Sequence, residues 1–153
     1  MKKIILILCV ILVCANNAQA QVVISSSDLI GTKWQTAKQY DDQSKVYYEY
    51  TKEAMIRHKS NGGISTYPCY LSNTIPTKFD NDKVGVITKG CHIIEYNTKL
   101  DVLYCYSIKS FNKTDGTMVL ENEDGSTTTY IMIPSNKPRC QSAGESVLDE
   151  SIW

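Results

Sequence analysis

The sequence lacks the short motifs that commonly mark an enzyme. It contains no G-x-S-x-G turn for a nucleophilic serine, no H-E-x-x-H zinc-binding helix and no glycine-rich phosphate loop. Its thiol and imidazole neighbours, Cys91 and His92, would point to opposite faces of a strand and so could not act together as nucleophile and base. We therefore expect a protein that is not an enzyme and that uses no cofactor.

An excess of positive charge and long apolar runs are lacking as well. The 153 residues carry 16 basic and 16 acidic side chains, and losing Lys2 and Lys3 with a leader would leave 14 against 16. Nucleic acid and anionic membrane surfaces call for a clustered basic patch, which is missing here. After residue 20 no stretch approaches the roughly 20 apolar residues of a membrane helix, so we expect no integral membrane segment.

The first twenty residues are typical of a signal peptide. Two lysines precede an apolar run, and Ala18-Gln19-Ala20 has the small-x-small pattern after which signal peptidase cleaves. We predict a signal peptide over 1–20, a single domain over 21–140 and a tail over 141–153. The protein is then expected to be exported to the periplasm or the extracellular space, and to be a monomer.

The remaining chain is dominated by short stretches typical of β-strands. A helical turn is predicted at Ser25–Asp28, where several N-cap residues occur together. Tight turns such as Asp124-Gly125 separate the predicted strands, and no long amphipathic helix lies between them. This pattern predicts an all-β up-and-down barrel or a sandwich. The predicted strands cover 32–40, 46–51, 54–59, 64–71, 91–96, 101–111, 117–122 and 127–133.

One long irregular segment interrupts this series. Residues 72–90 contain scattered proline, glycine and aspartate, and we predict a loop with a short helical turn or an extra strand at 84–87. Long loops in compact domains are often functional, although a covering flap without a ligand is an equal alternative. Just before it, Pro68 favours an edge position or a bulge for the fourth strand.

The motif Gly31-Thr32-Lys33-Trp34, followed by eight predicted strands, resembles the lipocalin superfamily, one of the calycins, and in particular its short secreted bacterial members. The resemblance implies an eight-stranded antiparallel up-and-down β-barrel that binds a small hydrophobic or amphipathic molecule. It implies that Trp34 plugs the closed end, that Arg139 stacks on Trp34, and that a disulfide joins Cys69 to Cys140.

Four cysteines follow the leader, and an even number in an exported protein favours two disulfides. A zinc site is the alternative, but no close C-x-x-C pair is present, so we expect no metal. Cys91 and Cys105 are equidistant from Thr98 in a predicted turn, which would place them opposite each other in a hairpin. The other pairing, Cys69 with Cys91 and Cys105 with Cys140, stays open.

Aromatic composition is unusual, with ten tyrosines against two phenylalanines. Strand alternation, with Cys91 and Cys105 pointing outward, predicts a barrel interior that suits one small amphipathic ligand. The alternatives are a barrel filled by its own side chains, and a protein- or glycan-interaction module that uses Tyr47, Tyr67 and the 72–90 loop. The predicted inward-facing residues are Tyr48, Tyr50, Ile56, His58, His92, Ile94, Tyr96, Tyr104 and Tyr106.

Overall fold

The fold was analysed in a computed structural model that describes residues 21–134. The predicted signal peptide 1–20, the predicted tail 141–153, Arg139 and Cys140 lie outside the described residues. Strands make up most of the regular secondary structure of the described chain. Its strands are β1 (Ile24–Ser25), β2 (Lys33–Thr36), β3 (Tyr47–Tyr50), β4 (Ala54–His58), β5 (Ile64–Ser72), β6 (Lys89–Gly90), β7 (His92–Asn97), β8 (Val102–Asn112), β9 (Thr117–Glu121) and β10 (Thr127–Ile133).

Eight of these strands form a closed antiparallel barrel in the order β10-β2-β3-β4-β5-β7-β8-β9, and the ladder between β10 and β2 closes it. The all-β, eight-stranded barrel predicted from the sequence is therefore confirmed. Closure gives every barrel strand two neighbours, so its backbone donors and acceptors are paired on both sides. Hairpin turns are made by residues such as Gly62 and Gly125, whose φ values of +82° and +79° favour glycine.

The predicted helical turn before the first barrel strand is present as α1 (Ser26–Leu29). Ser25 caps it, since its backbone N–H donates to Asp28 Oδ2 at 3.1 Å while its hydroxyl accepts from the N–H of Ser27 at 3.4 Å. Leu29 is buried in the main core. This turn therefore carries the chain into the first barrel strand and packs on the barrel interior.

The predicted first strand over 32–40 is only half correct. The strand ends at Thr36, and a second helical turn, α2 (Ala37–Asp41), follows it. Thr36 Oγ1 accepts from the N–H of Gln39 at 3.2 Å, and the Gln39 side chain accepts from the N–H of Thr36 at 3.1 Å. This reciprocal capping satisfies donors that a strand would have paired in a ladder.

Pro68 lies where β5 changes partners. It is opposite Ala54, the first residue of β4, and the next residue, Cys69, already pairs with Glu95 of β7. A residue without a backbone donor is tolerated at the end of a ladder. The predicted edge position is wrong because the barrel has no edge, but the proline does mark a break in pairing.

Side chains pack around Trp34 inside the barrel. Its indole is 1% exposed, its Nε1 donates to Thr32 Oγ1 at 2.6 Å, and its ring lies 6.1 Å from that of Phe111. Met118, which is fully buried, belongs to the same core. Gly31 precedes this strand with a φ of +79° and donates its N–H to the Tyr50 carbonyl. Trp34 is thus buried in the packed core of the barrel, and its role as the plug of the closed end stays what the resemblance implies.

Residues 73–91 cover the outside of the barrel rather than its mouth. Phe79 is buried and stacks on Tyr96 at 5.0 Å between ring centroids, with Tyr70 at 5.2 Å on its other flank. This second core also contains Ile94 and Cys105. A 3₁₀ turn (Asn81–Lys83) occurs just before the predicted 84–87 element.

The end of this covering segment contacts two strands, β1 and β5. The short strand β6 pairs with β1, and Gly90 approaches the backbone of β5 so closely that a Cβ atom would lie 2.3 Å from the carbonyl carbon of Ser72. The extra strand therefore exists, but at 89–90 instead of 84–87. Only glycine fits this approach without displacement of the backbone.

The predicted Cys91–Cys105 disulfide is wrong. The ladder places Cys105 opposite Ile94, whereas the Cys91 carbonyl accepts from the N–H of Ile108, three residues further along β8. That offset is roughly 10 Å along the strand, beyond the reach of a disulfide. Cys69, Cys91 and Cys105 all carry free thiols in the structure. The predicted partner of Cys69, Cys140, lies outside the described residues.

Candidate functional site

A cavity of about 220 Å³ lies inside the barrel, and one of its lining residues, Tyr48, is directly opposite Trp34 in the ladder of β2 and β3. Six of its lining residues are tyrosines, and they are joined by one acid, one base and two apolar side chains. Arg57 is exposed, so the cavity reaches solvent at that side chain. The lining residues are Tyr48, Tyr50, Met55, Arg57, Tyr67, Glu95, Tyr104, Tyr106, Leu120 and Tyr130.

The strand registers explain why these residues meet. Across the ladder of β3 and β4, Tyr48 is opposite Arg57 and Tyr50 is opposite Met55. Side chains that are directly opposite in antiparallel strands share one face of the sheet. In a closed barrel that face is the interior for all of them. The same relation holds between β7 and β8, where Glu95 is opposite Tyr104.

The tyrosines give the cavity aromatic walls that carry hydroxyl groups. Tyr48 and Tyr130 meet edge to face, with 5.7 Å between ring centroids and an angle of 79° between ring planes. Burial raises the pKa values of Tyr50, Tyr106 and Tyr130, and the nearby Glu95 carboxylate raises them further. These phenols therefore stay protonated at physiological pH and can each donate one hydrogen bond.

Glu95 is the one acidic residue of the lining, and it is only 3% exposed. Burial raises the pKa of its carboxyl to about 8, while a hydrogen bond with Tyr50 acts in the opposite direction. Removal from water disfavours the charged form of any acid. At neutral pH Glu95 is accordingly mostly protonated, and it can ionise when a positive charge enters the cavity.

The cavity lining is therefore amphipathic. An exposed guanidinium, Arg57, lies at one side, and aromatic rings with hydroxyl groups form the walls. Glu95, at 3% exposed, is the most buried of the titratable residues of the lining. Such a site can hold a small molecule through ring contacts, hydroxyl hydrogen bonds and one carboxyl group.

Four of the residues predicted to face inward do line the cavity. They are Tyr48, Tyr50, Tyr104 and Tyr106.

Ile56 and His58 face outward, which corrects the prediction for β4. His58 is opposite Tyr47, stacks on its ring with 4.0 Å between centroids, and places Nε2 3.0 Å from Glu49 Oε2. Ile56 is opposite Glu49 on the same outer face. The Thr51 N–H donates to the Ala54 carbonyl, which leaves two residues, 52–53, in the turn between β3 and β4. Even-numbered residues of one strand therefore face odd-numbered residues of the other.

His92, Ile94 and Tyr96 also face outward, which corrects the prediction for β7. His92 Nδ1 lies 3.1 Å from Ser107 Oγ on the barrel surface, and burial lowers the pKa of the imidazole. Tyr96 stacks on Phe79 and hydrogen-bonds to Asp101. Each residue of β7 is opposite a β8 residue three positions further along the chain than predicted. A shift by an odd number of residues exchanges the inward and the outward face of a strand.

Six lining residues were not anticipated. Glu95 could have been identified from the sequence as a candidate site residue, because a lone acid in the run His92-Ile93-Ile94-Glu95-Tyr96 is unusual in a buried strand. The interaction-module alternative requires Tyr67 on the outer surface, but Tyr67 is opposite Met55 in the ladder and therefore faces inward. The unanticipated residues are Met55, Arg57, Tyr67, Glu95, Leu120 and Tyr130.

Comparison with known proteins yields no relative from which a role could be inferred: no protein-family model, no curated protein and no solved structure matches the chain. Two searches of residues 21–134 are also negative. Within that range no three His, Cys, Asp or Glu side chains are grouped so that they could hold a metal ion. No helix of the same range has the length and apolar character needed to cross a membrane.

Proposed function

We propose that this chain is an exported, non-enzymatic, lipocalin-like barrel that binds a small amphipathic molecule in its tyrosine-lined cavity. The observation that supports the proposal most strongly is the cavity of about 220 Å³ inside the barrel. Its lining combines aromatic surface with hydroxyl, carboxyl and guanidinium groups.

The size of the cavity favours a ligand over a filled interior. A water molecule occupies about 30 Å³ of liquid, so the cavity has room for several waters or for one small organic molecule. Pockets for drug-sized ligands are larger, typically about 300 to 1,000 Å³. We therefore propose a ligand smaller than the long-chain lipids and pigments that wide barrels can enclose.

The family and the location belong to the same proposal. The lipocalin-like assignment rests on Gly31-x-x-Trp34, on the helical turn before the barrel and on the eight-stranded closure. Export rests on the signal-peptide pattern of residues 1–20.

The interaction-module alternative receives less support from the surface. Tyr67 lines the cavity, and Tyr47 is engaged by His58 and by Lys33, whose Nζ lies 5.3 Å from the ring centroid. Among the described aromatic residues only Tyr40 is largely exposed, at 46%. Binding surfaces of that kind usually present a contiguous patch.

Native mass spectrometry of the protein purified from its own source tests the proposal. We expect a retained small molecule, and we expect it to be lost from a Leu120→Phe variant, whose larger side chain fills the cavity. The matched control is Val119→Phe, which makes the same enlargement one residue away, on the outer face of β9, and should keep the ligand. Absence of any retained mass, together with binding of no small amphipathic probe, would contradict the proposal.

A further inference from the structure

We propose that the cavity is specific for a small organic ammonium ion, with the cationic group held by Glu95 and the apolar body held by the tyrosine rings. This inference rests on the proposed function and identifies the chemical class of its ligand.

Within residues 21–134, Glu95 has no cationic partner. The ion pairs formed among residues 21–134 join other side chains, and none of them includes Glu95. Its closest ladder neighbours are Cys69 on one side and Tyr104 on the other, and neither carries a positive charge. A buried acid with no cation beside it is costly to ionise, and a ligand cation would supply the missing partner.

The surrounding rings suit a cation as well. The face of an aromatic ring is electrostatically negative and attracts an ammonium group, most strongly where water is excluded. Tyr50 is 5% exposed, and Tyr106 and Tyr130 line the same cavity. Their hydroxyls can also accept hydrogen bonds from N–H groups. An amine would thus meet one acid and several ring faces in a single enclosed volume.

Arg57 limits what the other end of the ligand can be. Its guanidinium is exposed and lines the cavity. A second positive charge on the ligand would be repelled there, whereas a neutral or anionic end would not. The structure therefore favours a monoamine or a zwitterion over a diamine.

Binding of such a cation has a proton balance that can be measured. At neutral pH the Glu95 carboxyl holds a proton, and it must pass that proton to the buffer before it can pair with an ammonium ion. The other titratable groups that line the cavity or lie next to the carboxyl in a ladder are six tyrosine hydroxyls, one thiol and one exposed guanidinium. They are Tyr48, Tyr50, Tyr67, Cys69, Tyr104, Tyr106, Tyr130 and Arg57.

Calorimetric titration with three probes that share one phenyl body provides the test: phenethylamine, 2-phenylethanol and phenylacetate. We expect phenethylamine to bind about tenfold or more tightly than the alcohol, because a charge-assisted hydrogen bond replaces a neutral one. Phenylacetate should bind most weakly. The binding enthalpy of the amine should differ between phosphate and Tris buffers at pH 7, since one proton is released.

Glu95→Gln should reduce phenethylamine binding to the level of the alcohol and leave 2-phenylethanol unchanged. The control Glu123→Gln, in an exposed turn, should leave all three affinities as they are. Thermal unfolding of both variants verifies that they are folded. If the alcohol or phenylacetate binds as well as the amine, the ammonium specificity is wrong while the cavity function stands. If none of the probes binds at millimolar concentration, both proposals are contradicted.

Discussion

At the scale of single residues, Glu95 links the cavity to the stability of the fold. Its carboxyl has a pKa of about 8 in the folded protein against an ordinary value of 4.5. Between these two pH values the folded protein holds a proton that the unfolded chain has released. Stability must therefore fall as the pH rises through this window, and Glu95 makes no pH-dependent contribution below it.

We predict that Glu95→Gln removes this pH dependence, because an amide stays neutral. The free energy of unfolding of the variant should match that of the parent near pH 4.5 and exceed it by more than about 1.4 kcal/mol at pH 8, since each pKa unit corresponds to about that amount. Urea unfolding of both proteins across pH 4.5 to 8 measures it. A difference that does not change with pH would show that Glu95 is not held neutral by burial.

Gly90 is the residue where the backbone leaves least room for a side chain. A Cβ atom there would lie 2.3 Å from the carbonyl oxygen of Ser72. We predict that Gly90→Ala lowers the free energy of unfolding by about 1 to 3 kcal/mol, the usual range for overpacking. Gly63→Ala is the control, because its nearest neighbour is a movable side-chain oxygen of Asn61 at 3.1 Å. Equal stability of the two variants, measured by urea unfolding, would contradict the close approach.

At the scale of elements, the strands were more predictable than their inner faces. Strands β4 and β10 match the predicted positions closely because clear turn residues adjoin them, Asn61-Gly62 after β4 and Asp124-Gly125 before β10. The two-residue gap between Thr51 and Ala54 also determines the facing residues of β3 and β4. In this hairpin an even-numbered residue is always opposite an odd-numbered one, so Arg57, and not His58, lies on the same face as Tyr48. This information was in the sequence.

Which residues of β7 face the barrel interior could not be predicted from the turn length in the same way. Its connection to β8 is four residues long and includes Asp101 with a φ of +54°, an uncommon conformation for a residue other than glycine. Because a shift of one residue exchanges the two faces, the length of such a turn decides which residues line the cavity. The helical turn α2 could have been predicted, since Thr36-x-x-Gln39 has the spacing of a capping box.

Phe79 supplies the aromatic contacts between the covering segment 73–91 and the barrel, through Tyr70 and Tyr96. We predict that Phe79→Ala speeds amide hydrogen exchange in this segment by about tenfold, because two aromatic contacts worth about 0.5 to 1.5 kcal/mol each are lost. Amides of Tyr104 and Tyr106, on the cavity side, should keep their protection. The control Ile75→Ala changes a side chain that is 58% exposed in the same segment. Faster exchange throughout the barrel would show that this segment is part of one cooperative unit.

At the scale of the whole molecule, the barrel is held together by backbone pairing and by a packed core, not by a bridge between Cys91 and Cys105. We predict that peptide mapping of the non-reduced protein finds no fragment in which these two cysteines are linked. Alkylation under denaturing conditions, without reductant, should modify both of them. A linked 91–105 fragment would require β7 to shift by three residues against β8, and it would contradict the observed register.

The reactivity of Cys69 measures how well the barrel interior is protected from reagents. Burial, together with the smaller effect of the Glu95 charge, raises the pKa of Cys69 to about 12, so this interior thiol stays protonated. Since the thiolate is the reactive form, Cys69 should react with iodoacetamide in the folded protein far more slowly than in the unfolded chain. Equal rates in both states would show that the interior is open to reagents.

The central claim is that the tyrosine-lined cavity holds a small molecule. The most direct measurement is a high-resolution crystal structure of the protein purified from its own source. We expect continuous electron density inside the cavity, in contact with tyrosine rings and within hydrogen-bond distance of Glu95. Density for ordered water alone, or tyrosine side chains collapsed into the space, would contradict the account.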